Sequence, residues 1–328
     1  MTIAKHIAAA LLAGCAFAAP AVHAQDAAAF PNKPIRLVVP YTPGGSADVL
    51  GRALAQQLAG RWGQPVVVDN KPGADGLLGA DAVAKAPADG YTLLYGPNAL
   101  YSIFPYMHPK ASVSAQRDLD AVAGVSIAPM VMAVSSTLKV GSVAELIALG
   151  KARPGEIGFG SAGNSSLQRM IGENFARLAG VKMVHVPYKG TAQAGTDLAG
   201  GQLHVLYGSL TSIEPLLKAG KARLLAVSSQ KRFALMPDTP ALGETLPGWK
   251  DLNTFQGIYA PKGLPPAVAR KIAEAVQAAA ESPDMQARLK ANGFQSNAGT
   301  PEQFQAQLQT DYQTMGEVVR AAHIRPEK

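Results

Sequence analysis

The chain has 328 residues and a formal charge of +7, from 30 Lys and Arg against 23 Asp and Glu; 48% of it is hydrophobic and 16% charged. That hydrophobic content excludes a disordered chain, and 33 Gly with 24 Pro in no fixed period exclude a collagen-like one. A single cysteine excludes a disulfide framework and any multi-cysteine metal site, while the length suits two domains.

Lys5 and His6 precede an apolar run over residues 7–19, Pro20 ends it, and Val22-His23-Ala24 has the small-x-small pattern of a cleaved secretory signal. Residues 1–24 are therefore expected to be an export segment, too short to remain as a membrane span. A second reading stays open, because Leu12-Ala13-Gly14-Cys15 matches a lipobox and Cys15 would then carry a lipid anchor. Either way the protein is expected in the periplasm. Cleavage after Ala24 removes Lys5 and no acid, so it lowers the charge by one and takes away the only cysteine.

Beyond this segment, short β-branched runs alternate with helical patterns. Strands are predicted at 35–39, 66–68, 91–95, 122–127, 131–134, 157–160, 183–186, 204–207 and 224–227, with helices in most of the gaps. The alternation predicts an α/β fold with mostly parallel sheets. After Ser46, the residues Leu50, Ala53, Leu54 and Leu58 form one apolar helical stripe. Near the end, Thr300-Pro301-Glu302-Gln303 is a capping box, followed on one face by Phe304, Leu308, Met315 and Val319.

Two Gly-rich turns carry the candidate chemistry. Strand 35–39 runs into Pro40-Tyr41-Thr42-Pro43-Gly44-Gly45-Ser46-Ala47-Asp48, and a helix begins there. Such a turn brings backbone N–H groups and the positive end of a helix toward a carboxylate or phosphate, although Ser46 and Asp48 could equally serve only as helix caps. The second turn, Ser161-Ala162-Gly163-Asn164-Ser165-Ser166, follows strand 157–160 in the same way. Gly158 to Gly163 fits G-x-G-x-x-G, but strand 183–186 leads into Pro187-Tyr188-Lys189-Gly190 with no acid to hold a ribose. A small-anion cradle fits better than a dinucleotide site. No G-x-S-x-G elbow or H-E-x-x-H pair occurs, and His108, His185, His204 and His323 lack metal-ligand spacing. The Lys and Arg residues form no dense patch of the kind that binds nucleic acid.

The stretches Phe30 to Gly45, Asp69-Asn70-Lys71-Pro72-Gly73-Ala74, Asp89-Gly90-Tyr91-Thr92-Leu93-Leu94, Ser161 to Phe175, His185-Val186-Pro187-Tyr188-Lys189-Gly190, Asp197-Leu198-Ala199-Gly200-Gly201-Gln202 and Tyr259-Ala260-Pro261-Lys262-Gly263 together resemble the Bug (TctC-like) solute receptors of tripartite tricarboxylate transport, across nearly the whole mature chain. The resemblance implies a two-lobe type II periplasmic-binding-protein fold with the ligand cleft between lobes: lobe one at 30–127, lobe two at 128–228, and a return to lobe one at 229–328. It implies a receptor rather than an enzyme, working as a monomer without cofactor or metal. Its ligand would be a small organic acid and its partners the membrane subunits of such a transporter. A secreted α/β enzyme acting on a small anion is the alternative.

The ligand would be held by Tyr41, Thr42, Pro43, Gly44, Gly45, Ser46 and Asp48 of the first turn and by Ser161, Asn164, Ser165 and Ser166 of the second. Asn98, Arg169, Tyr188, Lys189 and Tyr207 complete the expected site. Arg169 stands where the family often has His, and His204 and Gly208 stand where acids are common. An acid missing at 208 would turn preference away from amino acids and toward simple carboxylates.

Overall fold

The computed structural model describes residues 29–326, so the expected export segment and Cys15 lie outside the described residues. Among the described residues, eleven strands form two sheets. The first runs β11-β4-β10-β3-β1-β2, from β1 (Ile35–Val39), β2 (Val66–Asn70), β3 (Thr92–Pro97), β4 (Leu119–Pro129), β10 (Asn253–Pro261) and β11 (Gln295–Ser296). The second runs β7-β6-β8-β5-β9, from β5 (Val131–Ser135), β6 (Ile157–Ser161), β7 (Met183–Pro187), β8 (Val205–Gly208) and β9 (Ala222–Val227). The helices are α1 (Ser46–Trp62), α2 (Leu77–Ala84), α3 (Ala99–Ser102), α4 (Phe104–Met107), α5 (Val143–Ala152), α6 (Leu167–Ala179), α7 (Thr191–Gly200), α8 (Leu210–Lys218), α9 (Pro266–Ala280), α10 (Pro283–Ala291) and α11 (Pro301–Ala321), with single turns at Ala115–Asp118 and Leu242–Thr245.

The expectation of mostly parallel sheets is corrected. β1 pairs in parallel with β2 and β3, and β6 with β7 and β8, but β10 runs antiparallel to β3 and β4, β11 to β4, and β5 to β8 and β9. β5 and β10, the two strands entered by crossing between the sheets, run antiparallel to both of their neighbours, since no right-handed strand-helix-strand unit dictates their direction. β10 also escaped the sequence pattern. Its run Asn253 to Pro261 contains Gln256 and Gly257, and its register to β4 shifts at Gln256/Gly257 and again at Ile258/Tyr259, so the two-residue alternation is interrupted.

The amphipathic patterns carry the packing. Leu50, Ala53, Leu54 and Leu58 of α1 are buried, as are Phe304, Leu308, Met315 and Val319 of α11. α11 opens with the reciprocal cap: Gln303 N–H donates to Thr300 Oγ1 at 3.3 Å and Thr300 N–H to Gln303 Oε1 at 2.9 Å. In β5, Met132 and Val134 enter one hydrophobic cluster while Val131 and Ala133 enter another, the two faces of a pleated strand. The first cluster continues from Val38 and Leu94 of sheet one through Trp249, Leu308 and Met315 to Met132 and Ile157 of sheet two.

Two chain crossings join the sheets: Met130, between β4 and β5, and the segment 228–252 between β9 and β10. Ser228 ties them together. Its Oγ accepts from Met130 N–H at 2.9 Å and donates to Leu252 O at 2.8 Å, its N–H donates to Met130 O at 2.8 Å, and its O accepts from Trp249 Nε1 at 2.8 Å.

At Gly257 there is no room for a side chain, because a Cβ would lie 2.2 Å from Phe304 Cζ and 2.6 Å from the Ala123 carbonyl oxygen. Gly257→Ala is expected to destabilise the fold by about 1–3 kcal/mol through overpacking of α11 against β10. A shift of the urea unfolding midpoint measures it, and an unchanged midpoint would show that Phe304 and the strand yield freely.

Candidate ligand cleft

The first Gly-rich turn is braced from within. Gly44 adopts φ +89°, and its N–H donates to Asp48 Oδ2 at 3.0 Å. Asn70 Nδ2, at the end of β2, donates to Asp48 Oδ1 at 2.9 Å and to Tyr41 O at 3.1 Å, while Arg52 Nε donates to Asp48 Oδ2 at 3.1 Å. Burial alone would raise the Asp48 pKa, but the Arg52 side chain, the Gly44 N–H and the Asn70 amide outweigh it and hold the carboxyl below its ordinary value. Asp48 is thus an internal acceptor that shapes the turn, and it does not line the cavity described below. Thr42, Pro43, Gly44 and Gly45 are exposed, and Ser46 begins α1.

The second turn is built in the same spirit. Ser166 caps α6, its Oγ accepting from Arg169 N–H at 3.4 Å and donating to Gly163 O at 2.7 Å. Ser161, expected to face the ligand, is fully buried beneath the turn: its Oγ donates to Gly163 O at 2.9 Å and lies 2.6 Å from His185 Nε2. Burial, and then the Arg169 charge, push the His185 pKa down to about 4, so this imidazole is neutral at neutral pH. Arg169 donates from Nη1 to Asn164 O at 3.1 Å and sits 3.7 Å from Glu173 Oε1 through Nε; Asn164 itself is exposed. Arg169 therefore braces the turn from behind.

Between the two turns lies a cavity of about 260 Å³. The sheet-one side contributes Tyr41, Asp75, Pro97, Asn98, Ala99, Phe104 and, from β10, Thr254; the sheet-two side contributes Ala162, Gly163, Ser165, Ser166, Leu167 and Gln168; the first crossing contributes Met130. Of the expected residues it gathers Tyr41, Asn98, Ser165 and Ser166. It leaves out Tyr188, whose hydroxyl donates to Asp197 Oδ2 at 2.8 Å, Lys189, which is exposed, and Tyr207, which is fully buried in the core. Gly208 lies outside it as well: a Cβ there would meet Ser212 Oγ at 3.0 Å and Ile213 at 3.2 Å, so a side chain at 208 would press on α8. His204 accepts from Gly158 N–H through Nδ1 at 3.0 Å and is likewise outside the cavity.

Sequence reasoning missed Asp75, Phe104, Met130, Thr254 and the interaction of His108, whose Nε2 lies 2.9 Å from Ser165 Oγ across the cleft. The only available signal was topological: Pro97 ends β3 and Asn98 and Ala99 follow at its carboxyl end, where open α/β sheets place their ligands.

Chemically, the cavity offers hydroxyls, backbone donors and apolar walls. Leu167 and Gln168 are the first residues of α6 and line the cavity, and N–H groups at these positions have no partner within a helix. With the dipole of a 13-residue helix behind them they form an anion cradle. Among the described residues no Lys, Arg or His side chain lines the cavity, and no cluster of three or more His, Cys, Asp or Glu could hold a metal ion. Among the same residues no helix is long and apolar enough to cross a membrane.

Known proteins resemble the chain in sequence and in fold. Residues 50–324 match the tripartite tricarboxylate transporter family receptor, TctC. A relative in Bordetella bronchiseptica, described as a UPF0065 protein, is 35% identical over 95% of this chain and 91% of its own length. Among solved structures, Rpa4515 of R. palustris with adipate superposes with a TM-score of 0.82 at 31% identity, covering 91% of this chain and all of its own. The periplasmic binding protein BugD gives 0.73 at 29% identity, again covering 91% of this chain and 100% of that one. The chain therefore has the two-lobe periplasmic-binding-protein fold.

Behind the cavity wall, Asn98 Nδ2 donates to Asp311 Oδ2 at 2.8 Å. Burial pushes the Asp311 carboxyl up from 3.8 to about 6, against the opposing hydrogen bonds of Ser102 and Asn98. Between those values the folded chain keeps a proton that the unfolded chain releases, so Asp311 makes stability fall as pH rises through this window, by roughly 1.4 kcal/mol per unit of separation. Asp311→Asn is expected to flatten that fall. Unfolding free energies at pH 4 to 7 check it; identical slopes in both proteins would remove Asp311 as the cause.

Proposed function

The chain belongs to the tripartite tricarboxylate transporter receptor family, and from that premise we propose that it is an extracytoplasmic receptor that binds a small organic acid in the cleft and releases it unchanged. The observation that carries this reading is the pairing of the α6 amino terminus with Tyr41 around a cavity without a cationic side chain. A carboxylate fits such a site, since helix N–H groups and hydroxyls supply the donors and bridging waters complete them. Rpa4515, which superposes on this chain, holds adipate.

Export by residues 1–24, function as a monomer, and delivery to membrane subunits of a tripartite transporter belong to the same proposal. Closure would proceed by hinge motion about the Met130 and 228–252 crossings.

The enzyme alternative loses its best constellation on inspection. Ser161 Oγ and His185 Nε2 are at nucleophile-to-base distance, 2.6 Å. Yet Ser161 is fully buried, outside the cavity lining, and donates to Gly163 O, while His185 feels a cation, Arg169, where an orienting acid would be needed.

A thermal-shift series with linear acids and hydroxy acids, each beside its methyl ester, tests the reading. At least one free acid should raise the melting temperature with concentration while its ester does not, and the acid should be recovered intact by NMR. Tyr41→Ala should weaken that acid by about tenfold. Stabilisation by esters as well as acids, or conversion of the acid, would overturn the receptor reading.

A further inference from the structure

We propose that Asp75 selects the ligand in this cleft and favours organic acids that carry an ammonium or hydroxyl group at the end remote from the carboxylate; this rests on the carboxylate reading above. Among the described residues Asp75, itself exposed, is the one formally charged side chain in the cavity wall, and it comes from the sheet-one side while the first residues of α6 line the sheet-two side. Its carboxylate takes part in no hydrogen bond or ion pair among the described residues, in contrast to Asp48, which is saturated by Gly44, Asn70 and Arg52. Two cations of the cleft's turns are engaged elsewhere: Arg52 with Asp48 and Asn70, Arg169 with Asn164 and Glu173. An unpaired acid facing an unpaired set of donors makes a bipolar site. A dianion would place its second carboxylate against Asp75, whereas a ligand donor there would form a charge-assisted hydrogen bond.

The backbone holds this acid in a demanding conformation. Gly73, Ala74, Asp75 and Gly76 have φ of +129°, +46°, +54° and +97°, so two residues with side chains occupy left-handed space between two glycines. Such geometry persists only where surrounding packing enforces it. The enforcement is visible: an added Cβ would lie 3.3 Å from Pro40 Cβ at Gly76 and 2.8 Å from it at Gly79, so the segment is clamped against the base of the first turn. Glycine at 75 would relieve the strain, and the chain nevertheless presents an aspartate. The adjoining Tyr41 phenol is pushed upward by burial and then by the Asp75 charge, so it stays protonated beside the acid.

Four five-carbon probes separate the contributions: valerate, 5-hydroxyvalerate, 5-aminovalerate and glutarate, titrated by calorimetry at fixed ionic strength. The wild-type protein should bind 5-aminovalerate about tenfold more tightly than valerate, 5-hydroxyvalerate between them, and glutarate no better than valerate. Asp75→Asn and Asp75→Gly should abolish the amine advantage, leave valerate within about twofold, and strengthen glutarate. Asp75→Gly should melt at the same temperature or higher, because it relieves the left-handed strain, so its loss of selectivity cannot be assigned to unfolding. Binding of valerate with no gain from the amine, or equal losses for all four probes in the variants, overturns the role of Asp75 and leaves the carboxylate reading intact. If none of the four binds, the carboxylate reading fails and the Asp75 proposal with it.

Discussion

The cleft depends on one buried amide. Asn98 is 1% exposed, and every polar group it brings inside has to be met there or cost stability. Its N–H donates to Phe255 O at 2.9 Å, its Oδ1 accepts from Phe255 N–H at 3.2 Å, and its Nδ2 reaches both Asn253 O and Asp311 Oδ2. The end of β3, the start of β10 and the middle of α11 are thereby fixed to one another at the floor of the cavity. This explains how a chain segment arriving from about 150 residues away returns to sheet one in register. It also explains why a carboxylate can remain there: removing Asp311 would leave the amide short of an acceptor.

How much of this was legible in the sequence follows from the range of each interaction. Period-two and period-3.6 patterns are local, so β1, α1 and α11 could be read from Ile35 to Val39, Leu50 to Leu58 and Phe304 to Val319. β10 could not, because its two register shifts and its Gly257 answer to Phe304 and Ala123, distant partners that leave no local pattern. The Gly-rich turns were visible, but the destination of their side chains was not. Asp48 and Ser161 belong to residue types that both cap and bind, and only the positions of Asn70, Arg52 and His185 decide which. Asp75 went unremarked for the complementary reason: nothing in Ala74-Asp75-Gly76 tells of a left-handed backbone facing a cavity.

The distribution of charge is the more general point. The sequence carries a net excess of +7, and a receptor for acids invites the assumption that this excess meets the ligand. The cavity wall shows the opposite arrangement, with its single formal charge negative and its attraction for anions residing in oriented dipoles. Dipoles already aligned by a helix need no desolvation of a cation before they act, and they release a ligand more readily than a buried arginine would. That suits a protein that must both capture and hand over.

The Ser228 junction has one more consequence. Trp249 is buried with its indole N–H held by the Ser228 carbonyl, at the point where both crossings meet, and it does not line the cavity. Rotation of one lobe against the other about this junction would therefore change the indole's own hydrogen bond, and Trp249 emission, read beside that of Trp62, would follow it without direct ligand contact.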